Sequence, residues 1–185
     1  MDEIIIQNIL RGNTEEFRHL IRKYKDIAYS IAISVVKDEF YADEIIQVAF
    51  LKAFEKLDTF KGSSKFSTWL CRIVINESFR LIKKNKTSLI SYVEAPLELT
   101  QRPEYTLKLE ESDQKHYINE ALKMLAPKES MALRLFYLEE SSIEEISNMT
   151  GWTNSNVKVI LHRGRVNLKA HLVEHFKFEK NELYR

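Results

Sequence analysis

The sequence predicts an all-α protein made of two small helical domains joined by a linker. Gly and Pro number only four and three in 185 residues, too few for the tight turns of a sandwich or barrel. Apolar residues recur at three- and four-residue steps over several long stretches. Charge is also segregated, although the net value is only +1. Residues 61–86 carry seven Lys/Arg against one acid, Glu77, and residues 151–169 carry four Lys/Arg and no acid. Residues 87–150 carry six Lys/Arg and twelve acids. Two basic patches on either side of an acidic middle suit two contacts with a polyanion. The domains are expected over 1–86 and 110–175, with a linker over 87–109 and a tail over 176–185.

The first helix is expected over 14–36. Phe17, Leu20, Ile21, Tyr24, Ile27, Ala28, Ile31 and Val35 share one face, and Glu15 and Glu16 suit its N-terminal dipole. A second, over 41–57, has the stripe Ile45, Val48, Ala49, the stem of Lys52, Ala53 and Phe54. Asp58 to Lys65 is a loop by composition. A third helix, over 66–86, takes Ser67 or a neighbour as cap, carries Trp69, Leu70, Ile73, Val74, Phe79 and Ile82, and ends in a lysine cluster. Residues 87–107 lose the period and hold Pro96 and Pro103. Period returns over 108–125 with Leu109, Tyr117, Ile118, Ala121, Leu122 and Leu125, and Pro127 punctuates it. Further helices are expected over 128–138, 142–149 and 154–174.

The stretch 142–163 has the pattern of a helix-turn-helix. Ser142 caps the first helix and Glu145 completes a capping box. Ile143, Ile146 and Met149 form its inner stripe, and Gly151 stands where that helix ends in a left-handed residue. Trp152 plugs the angle, Thr153 caps the second helix, and Val157 and Leu161 turn inward. That leaves Asn154, Ser155, Asn156, Lys158, Val159, His162 and Arg163 outward, with Arg165 and Lys169 extending the basic face. Such groups read base edges and phosphates in a major groove. A charged, solvated helix in a bundle is the plainer alternative.

The other basic patch interleaves cations with aromatics: Phe60, Lys61, Ser63, Ser64, Lys65, Phe66 and Trp69, then Asn76, Arg80, Lys83, Lys84 and Lys86. Cations follow phosphates and rings accept unstacked bases, the requirement of single-strand binding. The plainer alternative makes Phe66 and Trp69 core residues.

These residues together resemble the sigma-70 family, specifically sigma factors of the extracytoplasmic-function group (group 4). Ala42 to Phe54 resembles the core-binding helix of sigma region 2. Phe60-Lys61-Gly62, Phe66 to Ile73 and Asn76 resemble its promoter-melting part. Leu125 to Glu129, Ile143 to Ile146 and Val157 to Arg165 resemble region 4. Only a linker stands where longer sigma factors carry region 3.

The resemblance implies an initiation factor that binds core RNA polymerase and selects promoters in response to a stress or envelope signal. Region 2 docks on the β′ coiled coil through Asp43, Glu44, Gln47, Phe50 and Leu51. The loop Lys61–Lys65 and its neighbours capture a base of the −10 element, which offsets unstacking of a few kcal/mol per step. Region 4 meets the β flap and reads the −35 element through Ser155, Asn156, Lys158, Val159, His162, Arg163 and Arg165. The linker threads toward the RNA exit channel. An anti-sigma factor is the implied regulator; it would cover these surfaces, with the two modules packed together. Val48 stands where the family usually has an acid, and Val159 and Ile160 where Ser and Arg are common. Loss of that Arg removes a contact worth ~1–3 kcal/mol if it reads a base; Ile160 then faces a partner or the core.

Other chemistry finds little footing. Cys71 is a lone thiol, expected in the core, with no disulfide or CxxC zinc pattern. His171-Leu172-Val173-Glu174-His175 matches the HxxEH spacing of inverted zincins, but a catalytic zinc also needs a third ligand and a closed pocket. Glu110-Glu111, Glu139-Glu140 and Glu144-Glu145 show no partnered base. No phosphate-binding glycine motif occurs. The expected protein is no enzyme and needs no cofactor or metal. Met-Asp-Glu followed by three apolar residues makes no signal peptide, and no run reaches the ~18 apolar residues of a membrane span. Soluble, cytoplasmic residence follows. Without the resemblance, a stand-alone helix-turn-helix regulator and an interaction protein without DNA affinity are the competing readings.

Overall fold

The computed structural model describes residues 2–89 and 111–176, with side chains over 2–84 and 116–175. Among the described residues eight α-helices run in order: α1 (Asp2–Leu10), α2 (Phe17–Val36), α3 (Glu39–Glu55), α4 (Phe66–Leu89), α5 (Glu111–Met124), α6 (Pro127–Leu133), α7 (Ile143–Thr150) and α8 (Asn154–Phe176). The predicted linker and tail lie outside the described residues, except for the last residues of α4 over 87–89 and Phe176.

Local chemistry sets the helix ends. Asp38 caps α3 by accepting from the Tyr41 N–H. α4 opens at Phe66, one residue ahead of Ser67, because the Trp69 N–H already bonds the Lys65 carbonyl. Pro127 begins α6, where a missing N–H does no harm. α6 then widens into a π turn, Arg134–Leu138, in which the Glu139 N–H bonds the Arg134 carbonyl. This turn buries Arg134 and Leu135 and exposes Tyr137 and Leu138.

α1 has no counterpart in the sequence reading. Three consecutive isoleucines are weak helix formers, and nine residues are too few to stand alone. Tertiary contacts hold it: Ile6 and Ile9 enter the core, Lys23 pairs with Asp2 at 2.6 Å, and the Tyr24 hydroxyl donates to the same carboxylate.

α2 is the centre of the molecule. From Ser30 to Val35 every residue is buried, with no polar face left, as in a helix surrounded on all sides. α3 and α4 pack on it, and so do α6 and the π turn. α7 packs against α4. The two helical groups, α1–α4 and α5–α8, therefore share one continuous apolar core. Cys71 lies in that core with its thiol pushed up to about 12, by burial first and then by the charge of Glu139.

A polar seam runs along the junction. Lys65 Nζ meets Glu145 Oε1 at 2.8 Å, and Arg72 donates through Nε and Nη2 to the Asn148 carbonyl at 3.1 and 3.0 Å. Ser30 Oγ donates to Glu139. Lys37 Nζ donates to the Leu122 carbonyl at 3.0 Å, from a left-handed backbone (φ 62°) that ends α2. Lys37 is lowered to about 7, chiefly by burial and secondly by the nearby Arg134 guanidinium.

Candidate nucleic-acid interfaces

The helix-turn-helix forms through its caps. Ser142 Oγ accepts from the Glu145 N–H, and Glu145 accepts from the Ser142 N–H at 3.1 Å. Lys65 joins this box from the other helical group, and its hydrogen bond, followed by those from Ser142, lowers the Glu145 carboxyl to about 2. Gly151 ends α7 at φ 76°, a conformation that suits glycine. Thr153 Oγ1 accepts from the Asn156 N–H at 3.2 Å and so caps α8. Trp152 packs into the angle, with Lys128 over its ring at 5.9 Å.

Val157, Ile160 and Leu161 turn inward, and Ile160 thereby belongs to the core. Ser155, Asn156, Lys158, Val159, His162, Arg163 and Arg165 all stand exposed. Val159 is 55% exposed, an apolar group in the middle of the face. Arg165 donates back to the Leu161 carbonyl at 3.1 Å, and Arg163 Nη2 lies 3.2 Å from Glu129 Oε1. Beside Arg163 opens an apolar cleft of about 320 Å³, walled by Phe79 of α4 and by Pro127 and Ile160.

The basic loop takes a different form. Lys61, Ser63, Ser64 and Lys65 are exposed around Gly62, which turns the chain at φ 70°. Beneath them sit three rings: Phe60, Phe66 and Trp69, with centroids 5.5–5.7 Å apart. Phe66, expected to touch DNA, is buried against this pair and Tyr24, and serves as the floor of the cluster. Phe60 and Trp69 are half-buried and form its upper surface. Asn76, Arg80 and Lys83 are exposed along α4. Glu77, the one acid of the segment, takes Lys52 at 2.6 Å and Arg80 at 2.7 Å. Its isolation among cations was the signal of an anchoring role, and the sequence reading assigned it none.

On α3, Phe40, Asp43, Glu44, Gln47, Leu51 and Phe54 line one exposed face. Phe50 does not join them. It is 5% exposed and meets Phe17 edge-on at 6.4 Å, so Phe50 is removed from the expected contact set and Phe54 takes a surface place. Among the described residues, no group of three or more His, Cys, Asp or Glu could hold a metal, and the His171 and His175 rings lie 5.6 Å apart. Among the same residues, no helix is long and apolar enough to cross a membrane.

Comparison with known proteins falls on the same two groups of helices. Residues 20–87 match the family described as Sigma-70 region 2, and residues 115–168 match Sigma-70, region 4. The ECF RNA polymerase sigma factor SigW of Bacillus subtilis is 27% identical over 181 residues, covering 90% of this chain and 94% of that protein. The ECF RNA polymerase sigma-E factor of Escherichia coli is 26% identical over 175 residues, covering 89% and 90%. A solved structure of the sigma factor RpoE with the anti-sigma factor NepR from Bartonella quintana has the same fold (TM-score 0.68, 22% identity, 86% of this chain and 98% of that one).

Proposed function

The chain belongs to the sigma-70 family, and from that premise we propose that it is an initiation factor of the extracytoplasmic-function type, which binds core RNA polymerase and directs transcription from specific promoters. It acts in the cytoplasm, by binding rather than by catalysis. The carrying observation is the doubly capped helix-turn-helix of α7 and α8, joined in one chain to a helical group with an exposed basic loop over a ring cluster. A plain repressor has no need of the second element. The exposed face of α3 (Asp43, Glu44, Gln47 and Leu51) docks on polymerase, and the loop from Phe60 to Trp69 takes the −10 element. Ser155, Asn156, Lys158, Val159, His162, Arg163 and Arg165 face the −35 element, with the apolar Val159 suited to a thymine methyl.

The seam adds a condition. Elements some 25 positions apart lie roughly 85 Å apart along B-form DNA at ~3.4 Å per base pair. Lys65 and Glu145 are 2.8 Å apart, so the two groups of helices part before both elements are read. The packed form is the resting state, and an anti-sigma partner, as held by the RpoE relative, preserves it.

A run-off transcription assay with core polymerase and promoter DNA tests this reading. Promoter-specific initiation that depends on the chain is expected. Failure to initiate on any genomic promoter, together with tight duplex binding in the absence of polymerase, would sink it in favour of a stand-alone regulator. Arg163→Ala is expected to lower promoter use while polymerase binding stays intact.

A further inference from the structure

α8 carries a second row of polar side chains, on the flank turned toward α6. Glu129, in the first turn of α6, is a carboxylate only 4% exposed. Its Oε2 accepts from Asn167 Nδ2 at 2.9 Å, and its Oε1 lies 3.2 Å from Arg163 Nη2. Arg163 and Asn167 are four residues apart and so share one helical face. Gly164 lies between them. A Cβ there would come within 3.2 Å of the Leu133 side chain and 3.4 Å of Glu129 Cβ, so the bare glycine lets α6 approach and brings the carboxylate to the base of Arg163.

A buried carboxylate is unfavourable unless it is paired and hydrogen-bonded. Asn167 satisfies one oxygen. The other has the Arg163 charge nearby but no well-directed hydrogen bond. Arg163 itself is two-thirds exposed, so the guanidinium is held at one edge and open to solvent at the other. Carboxylate and DNA phosphate want the same fork of donors.

We propose that Glu129 is a positioning residue for Arg163: it holds the guanidinium back against α6 and competes with DNA for it. The proposal rests on α8 being the DNA-reading helix. With the tether in place, Arg163 adds less to duplex affinity than its position on α8 allows. Asn167 occupies the second oxygen and keeps the carboxylate aimed.

Fluorescence anisotropy of the full chain with a labelled duplex of random sequence, over a salt series, tests this. Glu129→Gln keeps the shape and removes the charge. It is expected to tighten binding about threefold to tenfold and to steepen the dependence of log K on log salt by about one, the mark of one more phosphate engaged. Glu129→Asp, which keeps the charge but withdraws it from Arg163, should shift both in the same direction and guards against misfolding of the Gln variant. In an Arg163→Ala background neither substitution should change the slope, which a purely structural role for Glu129 would not produce. Asn167→Ala, which leaves the carboxylate less firmly aimed, should lower Tm and shift the slope in the same direction as the Glu129 variants, by less. An unchanged slope for both Glu129 variants, or an equal gain without Arg163, would overturn the tether. If Lys158→Ala and Arg165→Ala also leave affinity and slope unchanged, the reading of α8 fails, and the tether fails with it.

Discussion

The recognition helix and the basic loop are both candidate DNA surfaces, but they are built and held differently. α8 owes its position to short-range chemistry: a capping box at Ser142, a left-handed glycine at 151 and a threonine cap at 153, all within twelve residues. The loop owes its position to distant residues. Its rings rest on Tyr24 of α2, Glu77 anchors the cations near it, and Lys65 is held by Glu145, eighty residues away. One surface stands ready in the packed chain, while the other is engaged by its neighbour. Packing of the two groups thus holds the basic loop through Lys65.

The largest effect is expected where the groups share their core. Ile31→Ala, at a fully buried site of α2, should lower stability by about 2–5 kcal/mol. Trp69 and Trp152 report on opposite groups, so single-tryptophan variants should show one common denaturation midpoint. Separate midpoints would break the comparison and make the halves independent. Next in size is Thr153→Ala, which removes the α8 cap. A loss of about 1 kcal/mol in Tm-derived stability is expected, with weaker duplex binding and intact polymerase binding. An equal loss of polymerase affinity would show that α8 also serves that partner.

A third test is a pH dependence of the seam. Lys37 is lowered to about 7 when packed, so the unpacked or unfolded chain binds more protons between pH 7 and 10.5. By linkage, its contribution to packing rises with pH through that window and is flat below it. The stability difference between the parent chain and Lys37→Met should follow this curve in urea titrations at several pH values. A difference independent of pH across the window would remove Lys37 from the seam.

Legibility in the sequence divides along the same line. The helix-turn-helix was readable because each cap involves neighbours in the chain. The stripe on α3 was readable in period but not in depth: Phe50 and Phe54 sit four residues apart and both meet Phe17, yet Phe50 is 5% exposed and Phe54 37%. Phe66 follows the same rule, since an aromatic beside lysines can be floor or platform until its neighbours across the fold are known. α1 escaped because its isoleucines favour strand and its helix depends on Lys23 and Tyr24. The joining of the two groups did leave a mark. Ile31-Ala32-Ile33-Ser34-Val35-Val36 lacks a charged residue over more than a full turn, the pattern of a helix covered on every side.

The π turn at Arg134–Leu138 bears on how this architecture can vary. A π turn holds one residue more than the α-helical turn it replaces. Each residue of an α-helix advances about 100° around its axis and 1.5 Å along it. Excision of one residue here would return the segment to α-helical hydrogen bonding, so the change is taken up within the turn, before the chain leaves the helix at Glu139. Chain length can thus vary by one residue at this turn while α7 and α8 keep the places that their own core contacts give them.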